Sequence, residues 1–125
     1  MAREILIIIV ILVIIFSANF IVINHLRNTT ESLVAKIEEI NLNIDNKQKA
    51  GEIMEELTKQ WEETNKTWAI IVTHQELDQI EISLLTAKIA IENDDIDDAL
   101  IELGKLDFLL EHINERESFK LKNIF

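Results

Sequence analysis

Residues 5–23 read ILIIIVILVIIFSANFIVI: of these 19 residues 17 are apolar, and only Ser17 and Asn19 interrupt them. As a helix the stretch rises roughly 29 Å at about 1.5 Å per residue, which matches the ~30 Å hydrocarbon core of a bilayer. Ile and Val favour strands, but strands run about 5–6 residues and this stretch is far longer. A soluble core helix could not hide a cylinder that is apolar all round within 125 residues. A cleaved signal peptide has a shorter apolar region of about 7–15 residues and a small-x-small cut site. Here the best cut, after Ala18, places bulky Phe16 where a small side chain is needed. Residues 1–24 are therefore expected to be a single-pass transmembrane anchor with the lipid bilayer as the partner of residues 5–23.

Direction follows less firmly from charge. Arg3 flanks one side of the span, and Arg27 and Lys36 flank the other among Glu31, Glu38 and Glu39. Uncleaved signal anchors with a short N-terminal flank keep that flank inside. The expected localisation is the cell membrane, with the C-terminal domain extracytoplasmic. Asn19, the amide within the span, is a candidate interaction residue, because polar side chains in lipid mark helix–helix contacts. Its nearness to Asn24 and His25 makes reaching up to interfacial water the plainer expectation.

Beyond the anchor the chain is acidic. Arg3 and Glu4 cancel, so the net charge of −11 belongs to residues 24–125, a balance that repels nucleic acid and anionic surfaces as a whole. The chain has no cysteine and no proline, and its two glycines are Gly51 and Gly104. Disulfides and thiolate sites are thereby excluded, and an all-helical domain with tight turns is favoured. About a hundred residues suffice for one modest core.

Apolar periodicity divides residues 25–117 into four helices. Leu26, Leu33, Ile37, Ile40 and Ile44 mark the first, which can run straight on from the membrane and should break near Asp45-Asn46. Ile53, Met54, Leu57, Trp61, Trp68, Ile71 and Val72 mark the second. Glu55 with Lys59, and Glu62 with Lys66, stand at i, i+4 on its polar face. Thr73-His74-Gln75-Glu76 has the form of a capping box, with the hydroxyl accepting from the fourth residue and Glu76 reaching back. Leu77, Ile80, Leu84, Ala87 and Ile91 form the third stripe. After Asn93-Asp94-Asp95, Ile96, Leu100, Leu103, Leu106, Leu110 and Ile113 form the fourth. The fold class is all-α: the transmembrane helix, then an acidic four-helix up-down bundle, then an extended C-terminal tail over 118–125. Ser118-Phe119-Lys120-Leu121-Lys122 alternates polar and apolar, which is not a helical period. In an up-down bundle this tail returns to the bilayer surface. Phe119, Leu121, Ile124 and Phe125 could then enter the interface with Lys120 and Lys122 at head-group level, or equally pack against the helices and seal the bundle's lower end.

Sites of chemistry are sparse. Asp94, Asp95, Asp97 and Asp98 lack the glycine and spacing of a calcium loop, and carboxylates at a helix start are stabilised by the dipole alone. His25, His74 and His112 are scattered, and the Glu-x-x-His pairs of di-iron bundles are absent. There is no glycine-rich phosphate loop and no nucleophile elbow. No catalytic, cofactor-binding or metal-ligating residue is assigned, and an enzyme is not expected. Trp61 and Trp68, seven apart on one stripe, are expected to pack in the core; as a pocket floor they would support a sensor or small-ligand-binding domain instead.

Taken together, the apolar anchor, the acidic helices, the Asp-rich turn into Asp97-Asp98-Ala99-Leu100 and the terminal Leu121-Lys122-Asn123-Ile124-Phe125 resemble a bacterial family. It comprises small single-pass membrane proteins grouped as domain of unknown function number forty-three sixty-three. The resemblance covers nearly the whole chain and implies a membrane-anchored helical domain of Gram-positive, often spore-forming, bacteria. It supplies no activity and no site residues. The function expected is a non-enzymatic, membrane-anchored interaction or scaffold module, an accessory to another membrane protein.

Overall fold

The computed structural model describes residues 1–123, and every regular element among them is an α-helix: α1 (Ala2–Leu42), α2 (Lys47–Trp68), α3 (His74–Glu92) and α4 (Ile96–Asn123). The apolar stretch and the first bundle helix are one rod of 41 residues. With no proline or glycine in residues 2–42, nothing interrupts the hydrogen-bond ladder, and the rod is roughly 60 Å long at about 1.5 Å per residue. Its N-terminal window is long and apolar enough to cross a membrane and none of it is buried, whereas the C-terminal part buries Leu26, Thr30, Leu33, Ile37 and Ile40.

Local chemistry ends each helix. Asn46 caps α2, its side-chain oxygen accepting from the Lys49 N–H at 3.2 Å. Thr73 caps α3 by accepting from the Glu76 N–H at 3.4 Å. The expected return bond from Glu76 is not made, because that carboxylate pairs with Arg116 of α4 instead. Asp95 caps α4 through the Asp98 N–H at 3.2 Å. The preceding turn is a Schellman motif: Asp94 takes φ 57°, the Asp95 N–H reaches the Ala90 carbonyl, and the Asp94 N–H reaches that of Ile91.

Neighbouring helices pack in a ring, α1 on α2, α2 on α3, α3 on α4 and α4 on α1. Cross-helix partners run in opposite orders. Along α1, Thr29, Ser32 and Lys36 meet Trp68, Gln60 and Glu56 of α2. Lys47 pairs with Asp94 at one end of the ring, and Arg116 with Glu76 at the other. The stripes of α1, α2 and α3 predicted from periodicity supply the core with few changes.

Four local readings need correction. Residues 118–123 continue α4 rather than forming an extended tail, and Ile124 and Phe125 lie outside the described residues. Ile71 and Val72 belong to the α2–α3 turn, since α2 closes at Trp68. Ile96 and Leu100 are exposed, and Ala99 takes the buried position beside Leu103. Lys66 pairs with Glu63 rather than Glu62, and Lys36 bridges Glu39 and Glu56; Glu55 and Lys59 form no ion pair among the described residues.

Candidate functional site

The two tryptophans of α2 fill space rather than line it. Trp61 is 3% exposed and Trp68 0%, and their rings meet edge to face at 5.7 Å with planes at 87°. That geometry places the positive rim of one ring on the negative face of the other. The Trp68 indole N–H donates to Thr29 Oγ1 at 3.1 Å, and the Thr29 hydroxyl donates to the His25 carbonyl at 2.8 Å. The Trp61 N–H is buried without a partner. A cleft of about 480 Å³ does exist, but at the far end of the bundle between the start of α2 and the end of α3. Gly51 and Met54 line it, with Lys47 and Lys88 at its rim, and neither ring reaches it.

Asn19 reaches a helix. Its Nδ2–H donates at 3.0 Å to the carbonyl of Leu121, in the last turn of α4. A side chain of α1 thus bonds the backbone of α4 near the end of its described part. This contact joins residues 102 apart in sequence. Of the other expected tail residues, Phe119 is exposed, Lys120 pairs with Glu117, and Lys122 lines a cleft of about 460 Å³ with Asn19, Phe20 and Arg27.

The acids divide into caps and crowded faces. Asp98, which stands beside the capping Asp95, is held above the usual aspartate value by its hydrogen bond to Asp95 and by that residue's charge. On α4 the charge of Asp107, one turn earlier, raises the Glu111 carboxyl, helped by desolvation, by Glu115 and by Glu38 across the α1–α4 seam. Lys36 is raised, chiefly by its hydrogen bond to Glu56. No group of three or more metal-ligating side chains is assembled among the described residues. His112 stacks on Phe108 at 5.5 Å with planes 8° apart.

One feature escaped periodicity altogether. The large apolar side chains exposed on the described bundle sit overwhelmingly on two helices: Ile82, Leu85 and Ile89 on α3, and Ile101, Phe108 and Phe119 on α4. None is on α2, and beyond residue 23 α1 exposes only Leu42. The three α3 residues recur at three and four, on the side opposite Ile80, Leu84 and Ile91. The signal was present as a second apolar stripe, hidden by the first: a helix apolar on two faces has no single direction of amphipathicity.

A family model described as Domain of unknown function (DUF4363) matches residues 20–124. No curated protein and no solved structure matches the chain.

Proposed function

This chain belongs to that family of unassigned activity, and from that premise we propose that it is a single-pass, membrane-anchored interaction module whose α3–α4 face docks another membrane protein. The observation that carries the proposal is the one-sided exposure of Ile82, Leu85, Ile89, Ile101 and Phe108 on neighbouring helices, opposite an α2 face of charged side chains. Exposed apolar patches of this kind mark interaction sites. The occupant is a helical surface with apolar residues at its centre and Lys or Arg at its margins. Asp78, Glu81, Glu111 and Glu115 flank the stripes, and a second copy of this chain would set −11 against −11.

The module is an up-down bundle carried on α1, with residues 5–23 in the bilayer and the domain outside the cytoplasm. Arg3 on the opposite flank of the span supports that direction. A reporter active only after export, fused behind residue 125, is expected to be active; an active cytoplasmic reporter at the same site would reverse the orientation.

Docking is tested by Leu85→Glu combined with Phe108→Glu. Both residues are exposed, so the change in stability should stay within about 0.5 kcal/mol. The expected result is loss of the larger species in which the full chain migrates after mild detergent extraction, with an unchanged helical melt. An unchanged complex would remove the α3–α4 face from the proposal.

A further inference from the structure

We infer that the base of the bundle rests on the membrane, with the α2–α3 turn lying in the head-group layer of an anionic phospholipid surface and the last turn of α4 reaching through it to the edge of the hydrocarbon. The inference rests on the reading of α1 as the span. Three contacts define that base: Trp68 with Thr29, Arg116 with Glu76, and Asn19 with the Leu121 carbonyl. They bring the end of α2 and the start of α3 to the level of α1 just beyond its apolar stretch, and the last turn of α4 against the final turns of that stretch, at Asn19.

Heights along α1 can be read from the helical rise. Thr29 stands roughly 9 Å above Ile23, and the head-group layer on each side of the hydrocarbon is about 5–8 Å deep. Trp68 lies at the level of Thr29, and the turn Ala69-Ile70-Ile71-Val72 follows it at the base, on the membrane side. Phe119 lines one cleft with Ile23, so it stands at the edge of the apolar stretch itself.

The two ends of the bundle differ in chemistry. The far turns are Asn43-Ile44-Asp45-Asn46 and Asn93-Asp94-Asp95, where Ile44 is packed on the core and the adjoining Leu42 and Ile96 are the exposed exceptions. The base turn is apolar throughout 69–72, and Ile70 is 85% exposed. Phe119, at 69%, is exposed at the same end of the bundle, as are Phe20 and Ile21 on α1. Ile71 and Val72 turn inward onto the core, but the exposed Ile70 has no use in a turn facing water, whereas an interface accepts it.

Two cations stand at the base. Arg27 and Lys122 form no ion pair among the described residues, as is true also of Lys49, Lys59 and Lys88 elsewhere on the bundle, but of these only Arg27 and Lys122 adjoin the apolar span. Both line the cleft that holds Ile23 and Phe119, where Glu115 is the one carboxylate. Arg27 is turned by a bond from Nη2 to Asn24 Oδ1 at 2.6 Å. Long cationic side chains at the end of an apolar span reach for lipid phosphate while their stems stay in the apolar layer.

The absence of cysteine makes the test direct. Single cysteines replacing Leu12, Asp45, Ile70 or Phe119 in the full chain carry an environment-sensitive fluorophore. The chain is reconstituted in vesicles of phosphatidylcholine alone or mixed with phosphatidylglycerol. Nitroxide placed deep in the acyl chain should quench position 12, and nitroxide near the head group should remove most of the emission at 70 and 119 while leaving 45 bright. Quenching at 70 and 119 should be greater in the mixed vesicles, and Arg27→Gln with Lys122→Gln should erase that difference. If 70 and 119 stay as bright as 45 while 12 is quenched, the base stands off the bilayer and the inference is overturned. Equal quenching in both vesicle types overturns the anionic-lipid assignment, and an unquenched position 12 overturns the span itself.

Discussion

Trp68→Ala is expected to destabilise the folded chain by about 3–5 kcal/mol, the loss of transfer energy plus the cavity left by a fully buried ring. The site cannot easily collapse, because Trp61 meets the ring edge to face and α1 is held against it through Thr29. Phenylalanine at the two positions should separate packing from hydrogen bonding. Trp68→Phe leaves Thr29 Oγ1 without its donor, whereas Trp61→Phe removes a buried N–H that has no partner. An unsatisfied buried polar group costs about 1–3 kcal/mol, so Trp61→Phe should be the milder change. Asp95→Ala, which removes only the exposed cap of α4, should cost about 1 kcal/mol. Denaturant unfolding of the full chain in detergent, followed by helical circular dichroism, measures all four; equal small losses at Trp68 and Asp95 would contradict the core assignment.

Arg116→Met is the second large effect. Arg116 pairs with Glu76 of α3 and with its own neighbour Glu117, whose side chain is 8% exposed. Removing the guanidinium strands two carboxylates in poorly solvated positions with only Lys120 nearby. Breaking a fully buried pair costs about 3–5 kcal/mol, and Arg116, at 32% exposure, is partly screened, so about 2–3 kcal/mol is expected. Adding Glu76→Met should recover most of it, because an apolar pair of similar size replaces a pair of charges. The same unfolding measurement decides. If the double variant is as unstable as the single one, the Arg116–Glu76 pair is not what holds α4 to α3.

These effects separate what sequence could carry from what it could not. The core of α1, α2 and α3 followed from spacing, because each stripe is a local property of one helix. Asn46, Thr73 and Asp95 were legible as breaks and caps for the same reason. The end of α4 was misread because alternating Phe119-Lys120-Leu121-Lys122 fits no helical period, yet tertiary contacts hold it: Glu117 is buried, and Asn19 takes the Leu121 carbonyl. Glu76 was assigned to its own N-terminus because Arg116, 40 positions on, cannot be seen from local sequence. The α3–α4 outer stripe failed differently. Ile82, Leu85 and Ile89 repeat as regularly as the buried set, and only packing decides which of two apolar faces a bundle hides.

Docking through that outer face is the centre of the functional reading, and site-specific photo-crosslinking in native membranes tests it most directly. A photoreactive residue in place of Leu85 or Phe108 should give one discrete adduct containing another membrane protein. The same residue in place of Lys59 or Glu62, on the charged face of α2, should give none, and Ile82→Glu with Ile89→Glu should abolish the adduct from position 85. Adducts that form equally from both faces, or that survive the charged substitutions, would contradict a docking face on α3 and α4.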